Sequence, residues 1–446
     1  MSSCRRRLLW GLSVIIPGPP GVSKTARVFK VGHESGFAVY VFETASKLPS
    51  DLNGVPSLVP HTLPDGTTVM VTTYGVPKWA AETHDRPMIV FMDDITAGAT
   101  PNMLAALTGT IHDHILGDGF ALGPDTRVVA AMNPRWCAAG GCRISAPVAN
   151  RLLTLPVLLD AKQKNVQLDQ TFYDQWAEYF LAADDSFAEP APIDHARVAE
   201  TQADVMKVWP AAYAEARARV VSFTQAVPTF VPVEDKGKKA ANERSYSSFY
   251  EIPRVGEPGS DGSAWASPRA LELASRGMAC AAVHKLTGLE AKELVKGSVG
   301  DLWAEQFYLW EGRAALPSGF DMLNGKGDTW DFSDHSTTYA VLAAATSHMM
   351  TLDRESQVEV LPAMVRMMLR CTEAGQCDEA ARPLQRLARS SVMTARPSDA
   401  KLPAADRPSA QIASLMGNAR LRAYATKLKE LDSDAYAALL GEKKCA

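Results

Sequence analysis

The sequence predicts an α/β chain: a three-layer core around a parallel sheet, then an all-α lid region and further helices toward the C-terminus. Three observations carry this. First, apolar runs at 15–16, 88–92 and 127–132 suit strands buried on both faces of a parallel sheet. Second, each run ends in a polar signature, at the edge where open α/β sheets place ligands. Third, apolar residues beyond Asp160 recur at helical rather than strand spacing, as in Leu168, Phe172, Trp176 and Phe180. The resulting organisation is an α/β core over 1–160, a helical lid over 161–315, a helical extension over 316–393, a linker over 394–409 and closing helices over 410–446.

The first signature follows Ile15-Ile16-Pro17. Gly18-Pro19-Pro20-Gly21-Val22-Ser23-Lys24-Thr25 reads as a glycine-rich turn opening a helix, the geometry of a phosphate-binding loop. Gly18 and Gly21 permit backbone angles and close approaches that a Cβ would block. Lys24 would reach the β- and γ-phosphates, and the Thr25 hydroxyl would ligate Mg²⁺. The alternative is a Gly/Pro turn that happens to precede Lys-Thr.

The second run, Met88–Met92, ends in Asp93-Asp94. Asp93 would hold Mg²⁺ through water, and Asp94 would polarise an attacking water. The third run ends in Asn133-Pro134, where the Asn133 amide fits a γ-phosphate sensor; a plain Asn-Pro turn is the alternative. Lys24 and Asp93 stand 69 positions apart, and Asp93 and Asn133 stand 40 apart, enough for strand–helix–strand units between them. A short helix then ends in Asn150-Arg151, where Arg151 is a candidate arginine finger for a neighbouring subunit's nucleotide; Arg143 is a second candidate. Downstream, Ser267-Pro268-Arg269 opens a helix, with Ser267 as N-cap and Pro268 in the first turn. Arg269 would project from that helix start toward the phosphates.

In this order, these elements resemble the MoxR family of AAA+ ATPases over roughly residues 11–310. The resemblance implies a P-loop NTPase core that binds and hydrolyses ATP with Mg²⁺. It also implies a homo-oligomeric, hexameric ring that remodels or matures a protein client, often one with a von Willebrand factor A domain. Leu48–Pro56 is similar to a stretch that, in a subset of these proteins, precedes a β-hairpin inserted in the second helix. Pro64-Asp65-Gly66-Thr67 marks the turn of such a hairpin, and a second is expected around Leu116–Phe120. Family hairpins of this kind point into the ring pore and meet the substrate. Three departures stand out. Ser23 occupies a position usually held by glycine. Asp94 replaces the usual Glu and is one methylene shorter, which bears on hydrolysis rate rather than on nucleotide binding. Only Met1–Leu12 precedes the first strand, where relatives carry a segment that packs on adenine. Two other classes remain open: a hydrolysis-poor nucleotide-gated scaffold, and a chelatase subunit or nucleic-acid motor on the same fold.

Composition narrows these classes. At 446 residues, two to three domains are expected. A net charge of −4 gives no general basic excess, so nucleic acid is disfavoured as a partner. No run is long enough to span a bilayer. Cys4–Trp10 could pass for the front of a signal peptide, but the following apolar stretch is broken by Gly11 and Ser13 and becomes the first strand; a cytoplasmic protein is expected. The seven cysteines form no Cys-x-x-Cys pair. Cys137 and Cys142 share one loop, short of the four ligands of a structural zinc site, and reduced structural cysteines are expected. His112 and His114 flank Asp113 without converging on a metal, and no Ser/His/Asp arrangement stands out.

Overall fold

The computed structural model describes residues 12–22, 24–96, 100–133, 144, 146–155, 195–230, 245–251, 264–286, 288–388 and 390–429. The first part of the chain runs β1 (Val14–Pro17), α1 (Lys24–Ser35), β2 (Ala38–Glu43), α2 (Pro49–Asn53), β3 (Val55–Thr62), β4 (Thr68–Gly75), α3 (Lys78–Glu82) and β5 (Met88–Asp93). It continues through α4 (Pro101–Asp113), β6 (Ile115–Leu116), β7 (Phe120–Ala121), β8 (Thr126–Met132), α5 (Ala146–Ala149) and β9 (Leu153–Thr154). Five strands form one parallel sheet in the order β2-β5-β8-β1-β9. The chain therefore has a P-loop-type α/β core.

The run from Met88 to Met92 is buried throughout because both faces of β5 are covered. Met88, Val90 and Met92 pack with Ile15, Phe42 and Val128 against Met103, Leu107 and Ile111 of α4. Ile89 and Phe91 point the other way and meet Val28 of α1. Alternation along a strand thus splits one continuous apolar run between two layers. The strands β2 and β9 were not expected. β2 is an edge strand whose residues are mostly half-buried. β9 has two residues and exists through its pairing with β1, in which Leu153 and Leu155 donate to the Ser13 and Ile15 carbonyls.

Both hairpins form. β3 and β4 make an antiparallel ribbon of eight residues per strand. Its turn has Gly66 at φ +85°, and the Thr67 N–H donates to Asp65 Oδ1 at 2.9 Å. β6 and β7 pair around Gly117-Asp118-Gly119.

The helical remainder comprises α6 (His195–Ala226), the short strands β10 (Thr229–Phe230) and β11 (Tyr246–Ser247), α7 (Pro268–Val283), α8 (Gly288–Val299) and α9 (Asp301–Ala314). Then follow α10 (His335–Thr351), α11 (Arg354–Glu373), α12 (Ala381–Ala388), α13 (Pro408–Gly417) and α14 (Ala419–Lys429). No helix among the described residues is long and apolar enough to cross a membrane.

The chain divides into two compact units, Met1–Met206 with Glu251–Gly277 and Thr287–Asp301, and Lys207–Tyr250 with Met278–Leu286 and Leu302–Ala446. In the second, Leu342, Leu361, Met364, Met368, Leu384, Leu415 and Leu421 form one core. Phe223 meets Trp303 edge-on at 4.8 Å, and the Trp303 indole N–H donates to the Ser248 carbonyl at 2.7 Å.

The stretch expected as a linker is packed, and so is a glycine-rich stretch within the helical extension. Gly325–Asp328 lies among short helical turns, held by Arg366 to Asp328 at 2.9 Å and by Arg370 to the Gly327 carbonyl at 2.6 Å. Within the expected linker, a 3-10 turn at Pro397–Lys401 is held by Arg354. That guanidinium donates to both Asp399 oxygens at 2.9 and 2.8 Å and to the Thr394 carbonyl at 2.9 Å. Composition reads such segments as loops because distant arginines, not an apolar period, order them. The helical pattern through Leu168, Phe172, Trp176 and Phe180, and Cys137 and Cys142, lie outside the described residues.

Within the first unit, α8 lies directly on β9: a Cβ on Gly297 would overlap the Thr154 carbonyl oxygen. Alanine normally favours a helix over glycine. Here Gly297→Ala is expected to lower unfolding free energy by about 1–3 kcal/mol in urea denaturation, the range for overpacking. An exposed control, Gly312→Ala, where no atom lies close, should be neutral or stabilising.

Candidate functional site

β1 leads straight into the glycine-rich turn, and the Gly18 N–H donates to the Met132 carbonyl of β8 at 3.1 Å. Gly21 adopts φ +83°, a left-handed conformation that a side chain would strain. Pro19, Pro20 and Val22 complete the described part of the turn, and Ser23 lies outside it. α1 then begins at Lys24, so the turn ends at a helix N-terminus, where backbone N–H groups favour an anion.

Lys24 is 9% exposed, yet its ammonium is well partnered. It donates to the Gly18 carbonyl at 2.8 Å, the Pro19 carbonyl at 3.0 Å and Asn133 Oδ1 at 2.9 Å. The other end of the same amide, Asn133 Nδ2, donates to Asp94 Oδ2 at 2.8 Å. Asn133 thus links the ammonium to the carboxylate, with each polar end of its side chain matched to the group it can serve. The Thr25 hydroxyl donates to Asp93 Oδ2 at 3.0 Å. Five residues from three separate strand ends meet here.

Asp94 sits at φ +47°, a left-handed conformation that Asp tolerates better than most residues. The turn is fixed by the Ile95 N–H bonding to the Ala131 carbonyl at 2.9 Å. Thr96, which the sequence reading missed, closes the network. Its hydroxyl donates to Asp94 Oδ1 at 3.2 Å and accepts from the Asn133 backbone N–H at 3.3 Å. A hydroxyl two residues after the paired acids is its only trace in the sequence.

The arginines lie elsewhere. Arg151 precedes β9, and Leu153 pairs beside Val14 at the start of β1. At ~3.3 Å per strand residue, the length of β1 alone separates the Arg151 end from the phosphate-binding turn by on the order of 10 Å. Arg269 shares the Arg151 side. Ser267 caps α7, accepting the Ala270 N–H at 3.1 Å, and its hydroxyl donates to Asn150 Oδ1 at 2.8 Å; both Ser267 and Asn150 are buried. The Ser267–Asn150 bond thus ties the start of α7, which carries Arg269, to the Asn150-Arg151 turn. Arg143 lies outside the described residues.

At the end of α4, His112 feels this grouping. Its pKa falls below the ordinary value, first through burial; Asp113 pulls it back upward, and the positive charges of Arg269, Arg151 and Arg276 add to the fall. No group of three or more potential metal ligands occurs among the described residues.

No protein-family model matches this chain, and no curated protein matches it. Among solved structures, it is similar to a candidate ATPase from Cytophaga hutchinsonii, with 13% sequence identity over 66% of this chain and 78% of the other, at a TM-score of 0.39. A similarity of that size carries no argument about activity; the strand order and the contacts above carry the fold and the site.

The His112 shift has a definite sign. Because its folded pKa is lowered, the unfolded chain takes up the proton first as pH falls. The stability it contributes is present above about pH 6.5 and is lost below it. Between about pH 7.5 and about pH 5.5, wild type should therefore lose more unfolding free energy than His112→Gln, as read by urea denaturation. Equal losses would show that His112 is not perturbed.

Proposed function

We propose that this chain is an ATP-binding and ATP-hydrolysing AAA+ protein of the MoxR type. It works in the cytoplasm as a homo-oligomeric, hexameric ring that remodels or matures a protein client, with von Willebrand factor A domain proteins as the first candidates. The observation that carries this reading is the convergence of Lys24, Asn133 and Asp94 in one hydrogen-bonded line, beside the Thr25–Asp93 pair.

The residues fit a magnesium nucleotide. The Thr25 hydroxyl and Asp93 carboxylate form a hard oxygen pair at hydrogen-bond distance, the donor set Mg²⁺ takes together with phosphate oxygens. When bound, Mg²⁺ would neutralise charge on the β- and γ-phosphates. Lys24 would exchange its loop carbonyls for phosphate oxygens. Asn133, released at one end, would turn its amide to the γ-phosphate or the attacking water. Asp94 would orient that water and accept its proton. Arg151 and Arg269, on the far side of the sheet from their own Lys24, would serve the nucleotide of the next subunit. Loss of the γ-phosphate would remove contacts that hold two arrangements of the chain apart, and the ring would pass that motion to the client.

ATP turnover and nucleotide binding test this together. Lys24→Ala should lose binding and turnover. Arg151→Ala should retain binding within a few-fold, while its turnover falls at least ~100-fold, as for loss of an arginine finger. Tight binding by wild type with no dependence of turnover on Arg151 would sink the shared-site reading. One observation favours a second reading, a scaffold that binds nucleotide and barely hydrolyses it: both Asp94 oxygens are engaged, by Asn133 and Thr96. Under that reading Asp94→Glu raises turnover at least ~10-fold, because the longer side chain reaches the water; under the first it changes turnover less than ~3-fold.

A further inference from the structure

The β3–β4 ribbon stands clear of the core, with every residue of β3 exposed. A two-stranded ribbon is marginal in water by itself. This one also exposes Leu58 and Met70 on one face and Val55 and Val59 on the other. Its register shows how it could be completed. The Leu63 N–H bonds to the Thr67 carbonyl at 2.8 Å, so the odd-numbered residues of β3 form the hydrogen-bonded pairs and the even-numbered ones face outward.

The two outer edges are therefore unlike. On β3 the outward positions are Pro56, Leu58, Pro60 and Thr62, and the two prolines have no N–H to offer. On β4 they are Thr68, Met70, Thr72 and Tyr74, each with a full peptide group. One edge is half blocked and the other is complete. At the base of the complete edge lies a cavity of about 300 Å³, lined by Tyr74, Val76 and Pro77 on one side and Leu116, Asp118 and Phe120 of the second hairpin on the other. Asn53 Oδ1 accepts the Gly117 N–H at 3.3 Å, tying the second hairpin to the end of α2, two residues before the ribbon.

We propose that the ribbon holds the protein client by strand addition. An extended client segment pairs with the β4 edge through main-chain hydrogen bonds and seats one apolar side chain in the cavity at the ribbon's base. The segment carries no acidic group: the ribbon's only Asp, Glu, Lys or Arg between Val55 and Gly75 is Asp65, in the turn, and a second carboxylate, Asp118, lines the cavity. Main-chain pairing makes the grip tolerant of sequence, and it selects unfolded or locally opened polypeptide over folded surfaces. A second copy of the chain fits the edge poorly. Head-to-tail contact around a ring would lay β4 on the proline-blocked edge of β3, and β4 on β4 demands a two-fold axis rather than ring closure. Pro56 and Pro60 thereby keep neighbouring ribbons from zipping together.

This inference rests on the reading of the chain as a nucleotide-driven protein remodeller, and nucleotide binding is measured in the same samples to separate the two. The probe is fluorescein-labelled, reduced and carboxymethylated α-lactalbumin, which cannot refold, against native α-lactalbumin as control, with the full chain and a non-hydrolysable ATP analogue. Wild type should bind the unfolded probe and not the native one. Amide exchange should slow at Met70, Thr72 and Tyr74 and stay unchanged at Leu58. Thr72→Pro removes one outward N–H without touching the ribbon's own ladder and should weaken probe binding at least ~10-fold. Val76→Trp, which fills the cavity and leaves the backbone alone, should weaken it several-fold. Nucleotide affinity should stay at the wild-type value in both variants. Full probe binding by Thr72→Pro, protection on β3 instead of β4, or a β4-dependent two-fold dimer in place of probe binding would overturn the proposal. Loss of nucleotide binding in wild type would instead remove the reading it rests on.

Discussion

The site depends on three parallel strands ending level at one edge of the sheet. β8 lies between β1 and β5, with Pro17 beside Met132 and Met92 beside Ala130. Each strand is exhausted within a residue or two of the others, so the turn after β1, the acids after β5 and the asparagine after β8 must emerge together. The Lys24–Asn133–Asp94 line is the chemical consequence. An ammonium and a carboxylate would otherwise need separate partners at a half-buried edge, and one amide satisfies both. Close packing of the alternate β5 side chains into two separate apolar layers holds this alignment.

The same parallel order divides labour between the two ends of the sheet. Residues that follow strands gather at the phosphate-binding end; residues that precede them gather at the other. Arg151 comes before β9 and cannot share the edge that holds Lys24. The buried Ser267–Asn150 bond brings the start of α7, and with it Arg269, to that second edge. Under the proposed function, a subunit built this way would carry half a phosphate site at each end. That arrangement suits head-to-tail assembly, in which each interface joins unlike surfaces.

Much of this was legible in the sequence because it is local. Continuous apolar runs read as buried parallel strands, and their terminal polar residues read as a ligand edge. The Ser267-Pro268 start of α7 and the Pro64–Thr67 turn were legible because caps and turns are decided within four residues. What escaped depends on distant partners. β9 is too short to have a periodicity and is created by β1. Thr96 joins the site only through the turn that Asp94 makes. The position of Arg269 follows from a hydrogen bond between residues 117 apart in sequence. The ordered stretch near Asp399 was hidden because its order comes from Arg354, 45 residues away.

The central claim is that a working site draws on two subunits, and one mixture tests it most directly. Lys24→Ala and Arg151→Ala proteins, each inactive alone, are combined in equal amounts and allowed to reassemble, and ATP turnover is measured. A shared site predicts recovery toward about a quarter of wild-type turnover, since that fraction of random interfaces pairs an intact Lys24 with a neighbour's intact Arg151. No recovery in mixtures shown to have reassembled would contradict the account and place the whole site within one chain.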